Sequence, residues 1–361
     1  MKITPLWTKR LANERRVRAR TPVFADNILY QVFHYDKGSF FESVMLALDC
    51  ETGTEHWRTT VAHVANEPVV GPDGTIYLCS FEGSVLAYDR NGRLRWKAPA
   101  ANRNMGVPCL AGSERLVVAE IGQGHRTWCL DAQSGAVLWT FDSGGFSYPI
   151  AATAETVVHA TVVDGTRFGE STPHLFVMSA DSGRCLWSTT YEQYLFMPVI
   201  VDDLVVVGAR GALLAYYLAD GRPAARLVLP PDAAVKVLVP LPDGFLLADD
   251  LGTIRRVVLS RKRSFFRSSV ALVELWTTSF PNEMLGRPVV LGSMVLVLDK
   301  EGNLHILNID DGSRVASHSR NGDTGAGGLT VWGARLAVAN GRTLDVYRQS
   351  DLVIGQRPLK E

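Results

Sequence analysis

Apolar and polar residues alternate along most of this chain in short runs, each closed by Gly, Asp, Asn or Pro. A period of two predicts β-strands that bury one face, and the closing residues predict tight turns. In VPCLAGSERLVVAE from Val107 and MPVIVDDLVVVGA from Met197, a Pro opens an apolar strand, and a turn leads to a second one. Pro at a strand start loses no essential ladder bond. A second element follows each of these. Residues 46–57 read LALDCETGTEHW, 86–96 LAYDRNGRLRW, 128–139 WCLDAQSGAVLW and 177–187 VMSADSGRCLW. In each, a Gly stands four positions before a Trp: Gly53 and Trp57, Gly92 and Trp96, Gly135 and Trp139, Gly183 and Trp187. Asp and Gly favour a tight turn, and the indole is a large apolar body suited to packing between sheets.

Each unit therefore holds four strands, and a four-stranded repeat of about 45 residues is a propeller blade. From Trp57 the Trp intervals are 39, 43 and 48 residues, and the next, to Trp276, is 89, or two blades. The missing position falls near Ala225, four after Gly221. In a further blade, Ala316 stands where Trp is expected. Residues 327–347 supply three strands without a fourth, and the orphan segment around Trp7 resembles the missing one. Borrowing it pairs edges that otherwise invite aggregation. The expected fold is all-β: a single eight-bladed β-propeller over residues 1–361, closed by the N-terminal strand. Its blades are expected near 21–61, 67–100, 107–142, 148–191, 197–230, 237–280, 287–320, and 327–348 plus 4–12. The sixth is the most degenerate, and seven blades is the alternative if it is discarded.

The pattern L-x-A-x-D-x-x-T-G-x-x-x-W, matched closely by LALDCETGTEHW, resembles the PQQ-like (quinoprotein-like) β-propeller repeat. The resemblance covers nearly the whole chain at the level of fold. Similar repeats occur in quinone-dependent alcohol dehydrogenases, in an outer-membrane assembly lipoprotein and in sensor regions of bacterial kinases. The dehydrogenases carry adjacent cysteines and a metal beside the quinone. Here Cys50, Cys79, Cys109, Cys129 and Cys185 stand apart, so the resemblance implies the shape without the cofactor: PQQ is not expected, nor any other cofactor or metal. The assembly lipoprotein's lipidated N-terminal Cys is also missing from MKITPLWTKRLANERRVRAR. That segment has no apolar signal core either, and the expectation drawn from it is a cytoplasmic protein.

Charge is balanced at 37 basic and 37 acidic residues, which disfavours dedicated binding of a nucleic-acid backbone. No HExxH, GxSxG or P-loop occurs. Two sets of candidate binding residues remain. Arg255, Arg256, Arg261, Lys262, Arg263, Phe265, Phe266 and Arg267 form the sharpest compositional anomaly, expected as an extended loop of blade six that grips an acidic partner, RNA or a membrane surface. The bland alternative is a solvated loop. His63, Glu67, Arg103, Asn104, Phe146, Tyr148, Tyr194, Phe196, Glu283 and Arg287 fall where loops are expected to gather at a channel mouth. Long insertions at 34–43 and 164–173 interrupt blades one and four. The leading expectation is a non-catalytic scaffold, a bacterial propeller subunit that binds a protein partner. A small-ligand sensor or enzyme using the channel, and nucleic-acid binding through blade six, are the alternatives.

Overall fold

The computed structural model describes residues 3–13, 17–36, 41–61, 63–64, 66–99, 105–120, 125–163, 172–263, 268–284, 286–319 and 327–352. It is all-β, with eight antiparallel sheets, and its fold class is the eight-bladed β-propeller. The N-terminal strand Trp7–Arg10 pairs with Thr343–Arg348 and supplies the outer strand of blade eight, as the orphan Trp7 segment implies. Two compact units are distinguished, 1–63 with 284–361, and 64–283. The first holds blades seven, eight and one, and the second blades two to six.

Four pairs of neighbouring blades interlock, each pair within one unit, through one repeated contact among the described residues. The indole of Trp96 in blade two lies on Gly135 in blade three, and its N–H donates to the carbonyl oxygen of Ala132 at 3.2 Å. Trp139 does the same on Gly183, donating to Ala180 at 2.9 Å, and Trp187 on Gly221, donating to Leu218 at 2.7 Å. In the other unit, Trp7 sits on Gly53 and donates to Cys50 at 3.1 Å. The turn is shaped for this contact. Asp49 caps it by accepting from the N–H groups of Glu51 and Thr52, and Gly53 takes a φ of +69°. A Cβ at Gly53 would stand 2.7 Å from the Trp7 ring, so only Gly admits the indole. Burying an indole while satisfying its N–H gives apolar area without an orphan donor.

Two blades lack the Trp, and in both the next blade lacks the turn that would receive it. Ala316 of blade seven faces blade eight, whose third strand Thr343–Arg348 runs into the helix Gln349–Leu352, since its fourth strand comes from the N-terminus. Ile3 and Leu352 join the apolar cluster between these blades, against which Ala316 packs. Ala225 of blade five faces blade six, where the short turn is replaced by a long hairpin, Thr253–Arg263 paired with Ser268–Ser279. Leu259, Val270 and Leu272 of that hairpin pack with Val201, Tyr217 and Ala225 of blade five. The indole and its receiving turn are thus lost together, and other apolar groups take over the contact.

Candidate interaction surfaces

The basic run of blade six is not an extended loop. It lies on the paired strands Thr253–Arg263 and Ser268–Ser279, and strand alternation divides its charges between two environments. Arg255 is 5% exposed, ion-paired with the buried Asp249 and 3.3 Å from Glu274. Arg256 is 6% exposed and ion-paired with Asp243, whose carboxyl it holds below the usual range by hydrogen bonding. Both guanidinium groups are used inside the blade, which corrects the expectation that they face a partner. Asp249 also accepts from the N–H groups of Leu251 and Thr253, so one carboxylate organises both the turn and the arginine.

Arg261, further along, reaches back to the blade-five turn and sits 2.6 Å from Asp203 and 3.5 Å from Asp202. Its hydrogen bond lowers the Asp203 pKa. Lys262 is exposed and has no acidic partner among the described residues. Arg263 ends its strand, and Phe265, Phe266 and Arg267 lie outside the described residues.

The channel-mouth candidates divide between the two units. His63 and Arg287 belong to one; Glu67, Tyr194, Phe196 and Glu283 belong to the other. Tyr194 is 45% exposed, and Glu283 lies 3.5 Å from Lys236. Phe146 and Tyr148 are on the strand Gly145–Ala152. Arg103 and Asn104 lie outside the described residues. The insertion at 34–43 begins and ends as strand, because Ile28–Asp36 and Phe41–Asp49 form one long hairpin. His34 is buried there, and burial with Arg20 and Arg18 nearby lowers its pKa to about 4.

One cleft had no signal in the sequence. A space of about 570 Å³ between the outer strands of blades four and five is lined by Thr172, Thr190, Tyr191, Glu192 and Arg226, beside a more apolar one of about 350 Å³. The Arg226 guanidinium stands 6.0 Å above the Tyr191 ring, in a cation–π contact. These residues are far apart in sequence and meet only because two blades stack.

Several exposed apolar side chains have a repeated structural cause. Each outer hairpin carries a register shift just before the Trp position, as at Ala47/Leu48, Cys129/Leu130 and Val177/Met178. A bulge turns the extra residue outward. Leu138, Leu186, Leu275 and Val315 occupy that position, at 48%, 45%, 54% and 54% exposure. Val273, at 42%, and Val228, at 73%, are exposed outside this pattern.

The five cysteines are free, and burial pushes the Cys129 thiol up to about 12. Among the described residues no group of three or more His, Cys, Asp or Glu side chains is placed to hold a metal ion.

Comparison with known proteins adds a common theme. Residues 41–191 match the family described as outer membrane protein assembly factor BamB. The protein of that name from Bordetella pertussis is 24% identical over 76% of this chain and 70% of its own length. The one from Nitrosomonas eutropha is 26% identical over 53% of this chain and 43% of its own length. Among solved structures, BamB from Moraxella catarrhalis aligns with a TM-score of 0.67 at 17% identity, covering 96% of this chain and 99% of that one. A europium-containing methanol dehydrogenase aligns with a TM-score of 0.70 at 13% identity, over 95% of this chain and 85% of that one. At such identities the structures show the fold alone.

These relatives overturn the cytoplasmic expectation. The curated proteins matched are all named as assembly factors of outer-membrane proteins. A β-blade is built from the same alternation in any compartment, and an N-terminal segment without a signal core is no guide to where the protein works.

Proposed function

We propose that this chain, whose repeats resemble the PQQ-like β-propeller family and whose residues 41–191 match a model of it, is a non-catalytic interaction scaffold in a multi-protein system that assembles outer-membrane proteins. One observation carries the reading. The relatives matched share a single name, that of an assembly factor, and the similarity reaches 86% of this chain. The geometry supports it in kind. Repeated indole–turn contacts lock neighbouring blades, and rigid blades present outer strands and clefts with little conformational cost on binding. The charges of Arg255 and Arg256 are consumed internally, which weakens the case for a nucleic-acid site in blade six.

Depleting the protein in its native host, then measuring folded β-barrel proteins in the outer membrane, tests the proposal. The expected result is a selective fall in those proteins while other envelope components hold steady. Unchanged levels at full depletion count against the assembly role.

A further inference from the structure

The cleft between blades four and five joins two kinds of surface. Both blades lie in the same compact unit, 64–283. Its wider part, about 570 Å³, is lined by Thr172, Thr190, Tyr191, Glu192 and Arg226. Its narrower part, about 350 Å³, is lined by Leu214, Tyr216, Pro223 and Ala224. Tyr191 and Arg226 line both parts. The walls are preformed. Leu214 and Tyr216 belong to the apolar cluster between the two blades, and Tyr216 lies tilted against Trp187 with ring centroids 6.3 Å apart. The Tyr191 N–H donates to the Pro173 carbonyl oxygen at 3.0 Å, which fixes the rim. A small residue on the outer strand of blade five leaves room in the narrower part: Ala224 is its bulged residue, where blade four carries Leu186.

The charges of this cleft are unanswered. Arg58, Arg95, Arg115 and Arg222 each stand between 2.5 and 3.3 Å from a carboxylate. Arg226 meets none among the described residues, and its contact is with the Tyr191 ring, 6.0 Å away. Strand pairing with Leu214 puts Arg226 on the face turned to blade four. A guanidinium over an aromatic ring keeps its in-plane N–H donors for an anion. Glu192 lines the same space and has no cation among the described residues. Its charge disfavours a dianion such as phosphate, and its oxygens accept from N–H groups.

We propose that this cleft docks an extended segment of a partner protein through a carboxylate side chain and an apolar side chain two residues apart. The proposal rests on the scaffold reading above and gives it a surface. The carboxylate pairs with Arg226, and the apolar side chain enters the narrower part against Leu214 and Tyr216. Residues two apart share one face of an extended chain, about 7 Å from each other. That spacing suits two adjoining spaces that have Tyr191 and Arg226 as common walls. Glu192 supplies an acceptor, and Thr172 and Thr190 supply hydroxyls, for the backbone groups of the segment. Because the walls are fixed by packing before anything binds, little ordering is needed on docking.

The test uses the full chain and a fluorescein-labelled peptide, Ser-Gly-Glu-Ser-Leu-Gly-Ser amide, followed by fluorescence anisotropy in a phosphate-free buffer. Saturable binding is expected. It should weaken about tenfold in Arg226→Gln, and as much when Gln replaces Glu in the peptide. Combining the two changes should cost little more than either alone, because both break one pair. Arg226→Lys should recover part of the affinity. Ala224→Leu restores a side chain that blade four accommodates at the same position. It should narrow the apolar space and weaken this peptide more than one with Ala in place of Leu. Arg222→Gln removes the same charge from a residue outside the cleft and should leave binding unchanged. No saturable binding at millimolar peptide, or equal weakening by Arg226→Gln and Arg222→Gln, overturns the proposal. So does displacement of the peptide by millimolar inorganic phosphate, since the cleft would then be a general anion site. Binding that requires a free C-terminal carboxylate overturns it too, since a chain end would then be the occupant. Partners that co-purify equally with wild type and Arg226→Gln would remove this surface while leaving the scaffold reading in place.

Discussion

The indole of Trp7 lies against Gly53, forty-six positions along the chain, and donates its N–H to the Cys50 carbonyl oxygen at 3.1 Å. That contact ties the strand which completes blade eight to blade one. Replacing Gly53 with Ala puts a Cβ 2.7 Å from the ring at a φ of +69°. Strain and overlap together should cost about 2–4 kcal/mol. Trp7→Ala, a half-buried indole, should cost about 2–3 kcal/mol. Chemical denaturation of both single variants and the double variant checks this. The double variant should lose much less than the sum, because both changes break one contact.

The paired loss of indole and turn makes a second prediction. Ala225→Trp alone should not stabilise the protein, because blade six offers no Gly turn to receive the ring. Shortening the blade-six hairpin to an Asp-x-x-x-Gly turn should destabilise it, since Leu259, Val270 and Leu272 no longer pack on blade five. Combining the two changes should recover part of the loss. Thermal melts of the three variants give the answer, and additive effects would refute the coupling.

Arg255 and Asp249 are both buried, so removing one strands the other's charge. Arg255→Ala should cost about 3–5 kcal/mol. Arg261→Ala breaks a half-exposed pair with Asp203 and should cost no more than about 1 kcal/mol. Equal losses for the two variants would contradict the division of the basic run into internal and surface charges.

His159 sets an acid limit. It is fully buried between blades three and four, bonded through Nδ1 to Thr127 at 2.7 Å, and burial lowers its pKa from 6.5 to about 3. The unfolded chain binds this proton more readily than the folded one. Its contribution to stability is therefore complete above the unfolded value of 6.5 and is lost as pH falls toward 3. By about pH 5 the loss is about 2 kcal/mol. His34, lowered to about 4, acts in the same direction. The double variant His159→Leu with Thr127→Val removes the titrating group without orphaning the hydroxyl. Its stability should fall less steeply between pH 6.5 and 4, as measured by urea denaturation across that range.

The blades were legible because one local contact repeats. Gly53, Gly135 and Gly183 each precede a Trp by four positions, and both residues are fixed by the same docking geometry. The gaps at Ala225 and Ala316 were visible, but their cause was not. It lies in the next blade, where a hairpin or a helix stands in place of the turn. The basic run was misread because its charges come in blocks, Arg255 with Arg256 and Arg261 to Arg263, and do not alternate with apolar residues as in the other strands, whereas pairing with Ser268–Ser279 makes it a strand. Tyr191 and Arg226 gave no signal, since stacking of two blades brings them together.

Affinity purification of the full chain from its native host, with mass spectrometry of what stays bound, tests the central claim most directly. The scaffold account predicts reproducible, stoichiometric recovery of components that assemble outer-membrane proteins. Recovery of no reproducible partner, or only of proteins confined to another compartment, would contradict it.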